Sequence, residues 1–302
     1  MSSSVLKYKL GYILTDIKFF LISDKQFNRR FFKKKKEYEY DESNIKTFSE
    51  KLIYIKEHYR DALITLCSDK YYVKDYLKLC GCEDISKKVY GVYKRVDDIN
   101  FEELPDEFFI HCNHMSGCNF KFSKHMSKAQ KKYILKLLKI SLKHNWYHNQ
   151  REWNYKNIEP YIICEECLKN GDGTVPIDYK FYCFSGVPKY WMVSKGEYDH
   201  QVRNHKMNMQ CESIDHYFKK KSTLPFEEIE IPENFKEMVE YVNKLCKPFP
   251  HVRVDLYNID GRIVFGELTF FSDGGVVNMV DQEYEEIIGS WINLESYTKE
   301  MI

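Results

Sequence analysis

The sequence predicts an α+β fold, and three observations carry that expectation. Short apolar runs of strand character alternate with windows of helical period, two strand pairs are joined by glycine turns, and no segment repeats along the chain. With 302 residues, the chain is long enough for two or three compact subdomains.

The first hundred or so residues read as mixed helix and strand with a polar surface. Arg29 to Lys36 is the one strong basic run, and Glu37, Glu39, Asp41 and Glu42 follow at once, so a solvated segment neutralised by its neighbours is expected rather than a polyanion or membrane contact. Ser68-Asp69 reads as a helix start for residues 70–80, with Gly81 as the stop. Glu107 to Cys112 follows Pro105 as a strand, and Asn113 to Gly117 form a turn-prone loop before a return strand over Phe120 to Phe122. Ser127 to Trp146 has the period of a long helix, with Tyr133, Leu137, Leu138 and Leu142 near one face. Tyr161 to Cys167 is a second apolar strand. Asp178 to Phe184 and Val187 to Val193 flank Ser185-Gly186 as a hairpin, and Pro232 to Cys246 is helical. A last hairpin pairs Val252 to Tyr257 with Arg262 to Phe270 around Asp260-Gly261.

Bulk composition narrows the function classes. Hydrophobic residues make up 43% and charged residues 30%, the balance of a globular chain. The 46 basic and 45 acidic residues leave a net charge of +1, which argues against a nucleic-acid coat. Lysines and Asp16 interrupt residues 1–25, so no secretory core is expected, and no stretch reaches the roughly 20 apolar residues of a spanning helix. A cytoplasmic protein with reduced thiols follows. Cys164 and Cys167 form one Cys-x-x-Cys without a second pair, and His111, Cys112, His114 and Cys118 cluster in sequence; buried thiols in strands are expected over a structural metal.

Alternation places Asp178 and Lys180 on one face of their strand, where an exposed ion pair is the simplest outcome. In the last hairpin Arg253 and Asp255 alternate with Val252, Val254 and Leu256, and Glu267 and Thr269 share a face with Phe265. A two-residue turn would set Asp255 opposite Gly266 and send Glu267 to the far face. A three-residue loop, Ile259-Asp260-Gly261, would set Arg253 opposite Glu267 and gather Arg253, Asp255 and Glu267 on one face. The three-residue loop is the expectation. Such a trio suits a metal–nucleotide site, the carboxylates holding magnesium and Arg253 answering phosphate charge; a cross-strand pair on a wet surface stands beside it. Glu165-Glu166 ends a strand where a ribose or adenine could be hydrogen-bonded, and the residue 113–118 loop could cradle phosphate, although it is not a Walker loop. Arg203 is a candidate for gripping a substrate carboxylate, against the alternative of an ordinary surface arginine.

In order and spacing, residues 68–73, 104–117, 152–158, 163–166, 178–186 and 252–271 resemble the teichuronopeptide-biosynthesis, or TupA-like, ATP-grasp family, over roughly residues 65–290. The resemblance implies an ATP-grasp fold gripping a nucleotide between two α+β subdomains. It also implies three ranges: an N-terminal region (1–103) that could bind acceptor, a lid or central subdomain (104–170) and a catalytic C-terminal subdomain (171–302). By similarity, Glu165, Glu166 and Cys167 lie near adenine, while His111, Ser116, Gly117, Asp178 and Lys180 contact the nucleotide. Lys180 and Arg253 would serve the phosphates in catalysis. Asp255 and Glu267 would hold Mg2+, with Thr269 where many such enzymes have asparagine. The implied cofactors are ATP and Mg2+. The implied reaction phosphorylates a carboxylate, such as a uronic acid of a surface or capsular polysaccharide, and an amine or amino acid displaces the phosphate. No nucleic acid and no membrane span are implied. Two residues depart from the family pattern: His111 replaces the usual lysine and Met115 a loop glycine. An ATP-grasp kinase and a nucleotide-binding protein without turnover are the alternative readings.

Overall fold

The computed structural model describes residues 3–196 and 202–297. In chain order it contains α1 (Ser3–Leu21), α2 (Asp24–Lys36), α3 (Phe48–His58), α4 (Ala62–Ser68), α5 (Val73–Leu79), β1 (Val89–Tyr93), β2 (Glu107–Cys112) and β3 (Asn119–Ser123). Then come α6 (Lys128–Ser141), α7 (Tyr147–Gln150), β4 (Ile162–Glu165), β5 (Ile177–Phe184), β6 (Val187–Lys195), β7 (Arg203–Asn208), α8 (Phe235–Cys246), β8 (His251–Ile259), β9 (Arg262–Thr269) and α9 (Gln282–Ser290). Contacts gather these into two compact units, each built from separated stretches: residues 1–27, 62–76 and 87–167 in the first, and 28–61, 77–86 and 168–302 in the second. Residues 1–103 are thus distributed over both units.

The first unit carries a four-stranded antiparallel sheet in the order β1-β4-β2-β3. Its apolar face joins Phe108, Ile110, Ile162 and Cys164 to Ile134 and Leu138 of α6. That helix begins where Ser127 and Gln130 form a reciprocal capping box. It is shorter than expected, ending at Ser141, and Tyr133 turns out to be an exposed residue. Met115 packs in this core and lies outside the left-handed region, whereas Gly117 has φ +82°. The loop's glycine requirement therefore falls on Gly117, and Met115 contributes burial at no conformational cost. The helix expected over 70–80 is present but shorter: Asp69 Oδ1 accepts from the amides of Tyr71 and Tyr72 in a turn that leads into α5 at Val73, and Gly81 follows the helix end with φ +64°.

The second unit carries a five-stranded antiparallel sheet, β7-β6-β5-β8-β9. Alternation sends Phe181, Trp191 and Val254 to one face, where Phe235 of α8 stacks within 5.8 Å of Phe181 and 4.8 Å of Trp191. The opposite face is apolar only at the end where His251 and Phe184 meet Phe48 of α3. The basic run forms the end of α2 and is neutralised locally as expected, Arg29 by Glu42 and Lys33 by Glu39, except that Lys36 is buried against Glu285.

Candidate functional site

The second sheet's polar face carries a row of charged side chains interrupted by Met192. Register aligns Lys206 (β7), Met192 (β6), Lys180 (β5), Asp255 (β8) and Glu267 (β9) across all five strands. Asp178 precedes Lys180 on the same face and accepts a hydrogen bond from its ammonium, while Asp255 Oδ2 lies 3.4 Å from Lys180 Nζ. Lys180, Asp178 and Asp255 are all buried, so the exposed ion pair expected of Asp178 and Lys180 is corrected: neighbouring strands enclose it. Arg253 grips Asp255 through two bonds of 2.6 Å and reaches Glu267 Oε1 at 3.1 Å; Thr269 donates to the same oxygen at 3.1 Å. Burial by itself would lower the pKa of Arg253, but Asp255 overrides it and the guanidinium is held above its usual range.

The trio converges, but not by the expected loop. Ile259 pairs with Arg262, leaving a two-residue Asp260-Gly261 turn with φ of +49° and +92°. A β-bulge restores the face: Asp255 pairs with Glu267 and Leu256 with Phe265, so Gly266 is the extra residue. Arg253 consequently lies opposite Thr269, not Glu267, and Phe265 faces α8 with Leu256, away from Glu267. A Cβ at residue 266 would sit 2.8 Å from the Asp255 carbonyl oxygen, so glycine alone permits this approach.

In the first unit His111 and Glu165 lie on adjacent strands, with His111 Nε2 3.3 Å and Lys87 Nζ 2.8 Å from Glu165 Oε1. Burial opposes ionisation of Glu165, yet Lys87 and then His111 outweigh it and hold the carboxyl far below the usual range. Glu166 accepts the amide of Lys88 at 3.0 Å, and Cys167 is half-buried just beyond β4. Ser116 and Gly117 are exposed on the loop after β2. Arg203 pairs with exposed Glu228 at 2.9 Å, as a surface arginine does. All ten cysteines are free, and among the described residues neither expected cysteine cluster converges as a metal set.

Sequence reasoning missed Lys206, Lys87 and Gly266. Lys206 belongs to β7, whose polar sequence (Arg203–Asn208) hides a strand alternation built on buried His205 and Met207. Burial lowers the pKa of Lys206, with Asp215 opposing the shift from 3.9 Å. Gly266 did carry a signal, since an isolated glycine within a strand pattern marks a bulge or a close approach.

Two carboxylates on neighbouring strands with a hydroxyl beside them form a hard oxygen donor set, which fits magnesium. Helices packed on two antiparallel sheets, one with this charged face, make an α+β architecture. The TupA-like ATP-grasp model matches residues 50–293, and the chain belongs to that family. No curated protein matches the sequence. Among solved structures, the chain is similar to D-alanine–D-alanine ligase from Bacillus anthracis complexed with ATP, at 15% identity over 78% of this chain and 68% of that one, TM-score 0.46. It is also similar to the D-cycloserine synthetase DcsG (12%, 76% and 71%, TM-score 0.41). An L-amino acid ligase from Bacillus licheniformis matches at 8% identity over 67% of this chain but 42% of its own length, TM-score 0.42.

Proposed function

We propose that this ATP-grasp enzyme is a carboxylate–amine ligase that uses ATP to activate an acid and forms an amide. One observation carries the reading: Asp255 and Glu267 stand opposite one another, flanked by Lys180 and Arg253, on the sheet face that α8 leaves free. Asp255, Glu267 and Thr269 would hold Mg2+, which when bound neutralises phosphate charge. Lys180 and Arg253 present fixed cations to the phosphates. Asp178 positions the Lys180 ammonium, and Lys206 extends the cationic row. In the first unit Glu165, Glu166 and Cys167 serve the adenine end, and His111, Ser116 and Gly117 the phosphates; Lys87 keeps Glu165 ionised as an acceptor.

The acid we favour is a uronic acid or nucleotide-linked uronic acid of surface polysaccharide, with an amine or amino acid as acceptor, in the cytoplasm. Support for that substrate comes from the family's association alone. The test is phosphate release from Mg-ATP across a panel of uronic acids and amines. Release that requires both acid and amine is the expected result; ADP without free phosphate would replace the ligase with a kinase, and Mg-ATP binding without turnover on any pair would leave a nucleotide-binding protein.

A further inference from the structure

Helix α1 carries two apolar stripes, and only one of them is used by the fold. The inner stripe is fully engaged within the first unit. Val5 is buried, Tyr8 Oη lies 2.9 Å from Ser141 Oγ, Tyr12 stacks on His144 at 3.8 Å, and Phe19 stacks on His148 at 3.9 Å beneath the Arg151 guanidinium. The helix is therefore seated, and its outer side is not a core face awaiting a missing neighbour. That outer side nevertheless presents Leu10, Ile13, Leu14, Ile17, Phe20 and Leu21, each between 42% and 78% exposed. With about 3.6 residues per turn they form one stripe roughly a third of the circumference wide, along a helix about 28 Å long. Scattered exposed leucines need no explanation, but a continuous stripe does.

The charges along the stripe say what covers it. The same geometry puts Lys7 and Lys18 along one edge and Lys9 along the other. The helix's single acid, Asp16, turns inward, where its Oδ1 lies 2.7 Å from His148 Nδ1. Lys136 and Lys143 line, together with Lys9, a groove of about 380 Å³ beside α1. An apolar stripe bordered by lysines and free of outward acids matches an anionic bilayer surface: the apolar side chains enter the acyl boundary and the lysines extend to the headgroups. A second copy would bring like-charged edges together, and a nucleic acid would leave the apolar stripe wet. No helix among the described residues is long and apolar enough to cross a membrane, so α1 would lie in the plane of the interface.

We infer that α1 is an interfacial helix that docks the first unit onto a membrane surface rich in anionic headgroups. This goes beyond the catalytic reading and does not rest on it. The test is flotation of the full chain with phosphatidylcholine vesicles prepared with and without phosphatidylglycerol. The protein should float with the anionic vesicles and be released by salt. Leu10→Gln/Ile17→Gln/Leu21→Gln should weaken binding at least tenfold, and Lys7→Gln/Lys9→Gln/Lys18→Gln on the order of a hundredfold, at about fivefold for each lysine. These positions are exposed, and circular dichroism of both variants should match the parent chain. Absence of flotation at low salt overturns the inference, as does undiminished binding by the apolar variant. A dimer in sedimentation that the apolar variant converts to monomer, without vesicle binding, overturns it in favour of self-association.

Discussion

The two carboxylates assigned to the metal differ in burial, and that difference separates a catalytic from a structural loss. Asp255 is buried and takes two charge-assisted bonds of 2.6 Å from Arg253, with Lys180 3.4 Å away. Asp255→Asn keeps the shape but takes one carboxylate charge away from two enclosed cations. Breaking such a buried pair costs about 3–5 kcal/mol, a large part of the roughly 5–15 kcal/mol that holds a domain folded. Glu267 has a side chain 41% exposed and pairs with Arg253 at 3.1 Å, so Glu267→Gln should cost about 0–1 kcal/mol. Both variants remove one oxygen-donor charge from the proposed magnesium site, and both should abolish ATP-dependent turnover. Urea denaturation would measure the stabilities, and titration with Mg-ATP followed by phosphate release would measure the site. Glu267→Gln with normal turnover would refute the metal assignment; Asp255→Asn as stable as the parent would refute the buried-pair argument.

Further expectations concern the bulge, the acid response and the departure at His111. Gly266→Ala places a Cβ 2.8 Å from the Asp255 carbonyl, so it should cost about 1–3 kcal/mol and lower turnover by separating Asp255 from Glu267; unchanged melting and kinetics would show that the bulge relaxes freely. Burial pushes the imidazole of His251 down to about 3 from an unfolded value near 6.5. Its stabilising contribution is therefore complete above pH 6.5 and is lost as pH falls, about 2 kcal/mol by pH 5. His251→Phe, which keeps the ring packing on Phe48 and Phe184, should flatten that part of the acid limb in denaturation curves, and an unaltered limb would assign it elsewhere. His111→Lys restores a permanent cation near Glu165 and should hold or raise ATP affinity by calorimetry; a large loss would reveal a role specific to imidazole.

Much of this protein was legible in one dimension. Alternation along Asp178–Phe184 and Val252–Leu256 marked which side chains share a face, and the glycines at 186 and 261 marked both turns, because side-chain direction in a strand and the left-handed backbone are local properties. Order and spacing of motifs then carried the family. Burial was not legible: Asp178 and Lys180 read as a surface pair because nothing local reveals that β6 and β8 close around them. Register was not legible either. A single-residue slip reverses every side chain, and whether Glu267 meets Asp255 rested on a bulge at Gly266, where the Asp255 carbonyl on the neighbouring strand leaves no room for a Cβ. The sequence by itself determined most element types, the places of the two hairpin turns and the identity of Asp178, Lys180, Arg253, Asp255 and Glu267 as the charged groups. Only the tertiary structure decided which of those charges meet and how deeply they lie, since strand pairing and enclosure depend on residues far apart in the chain.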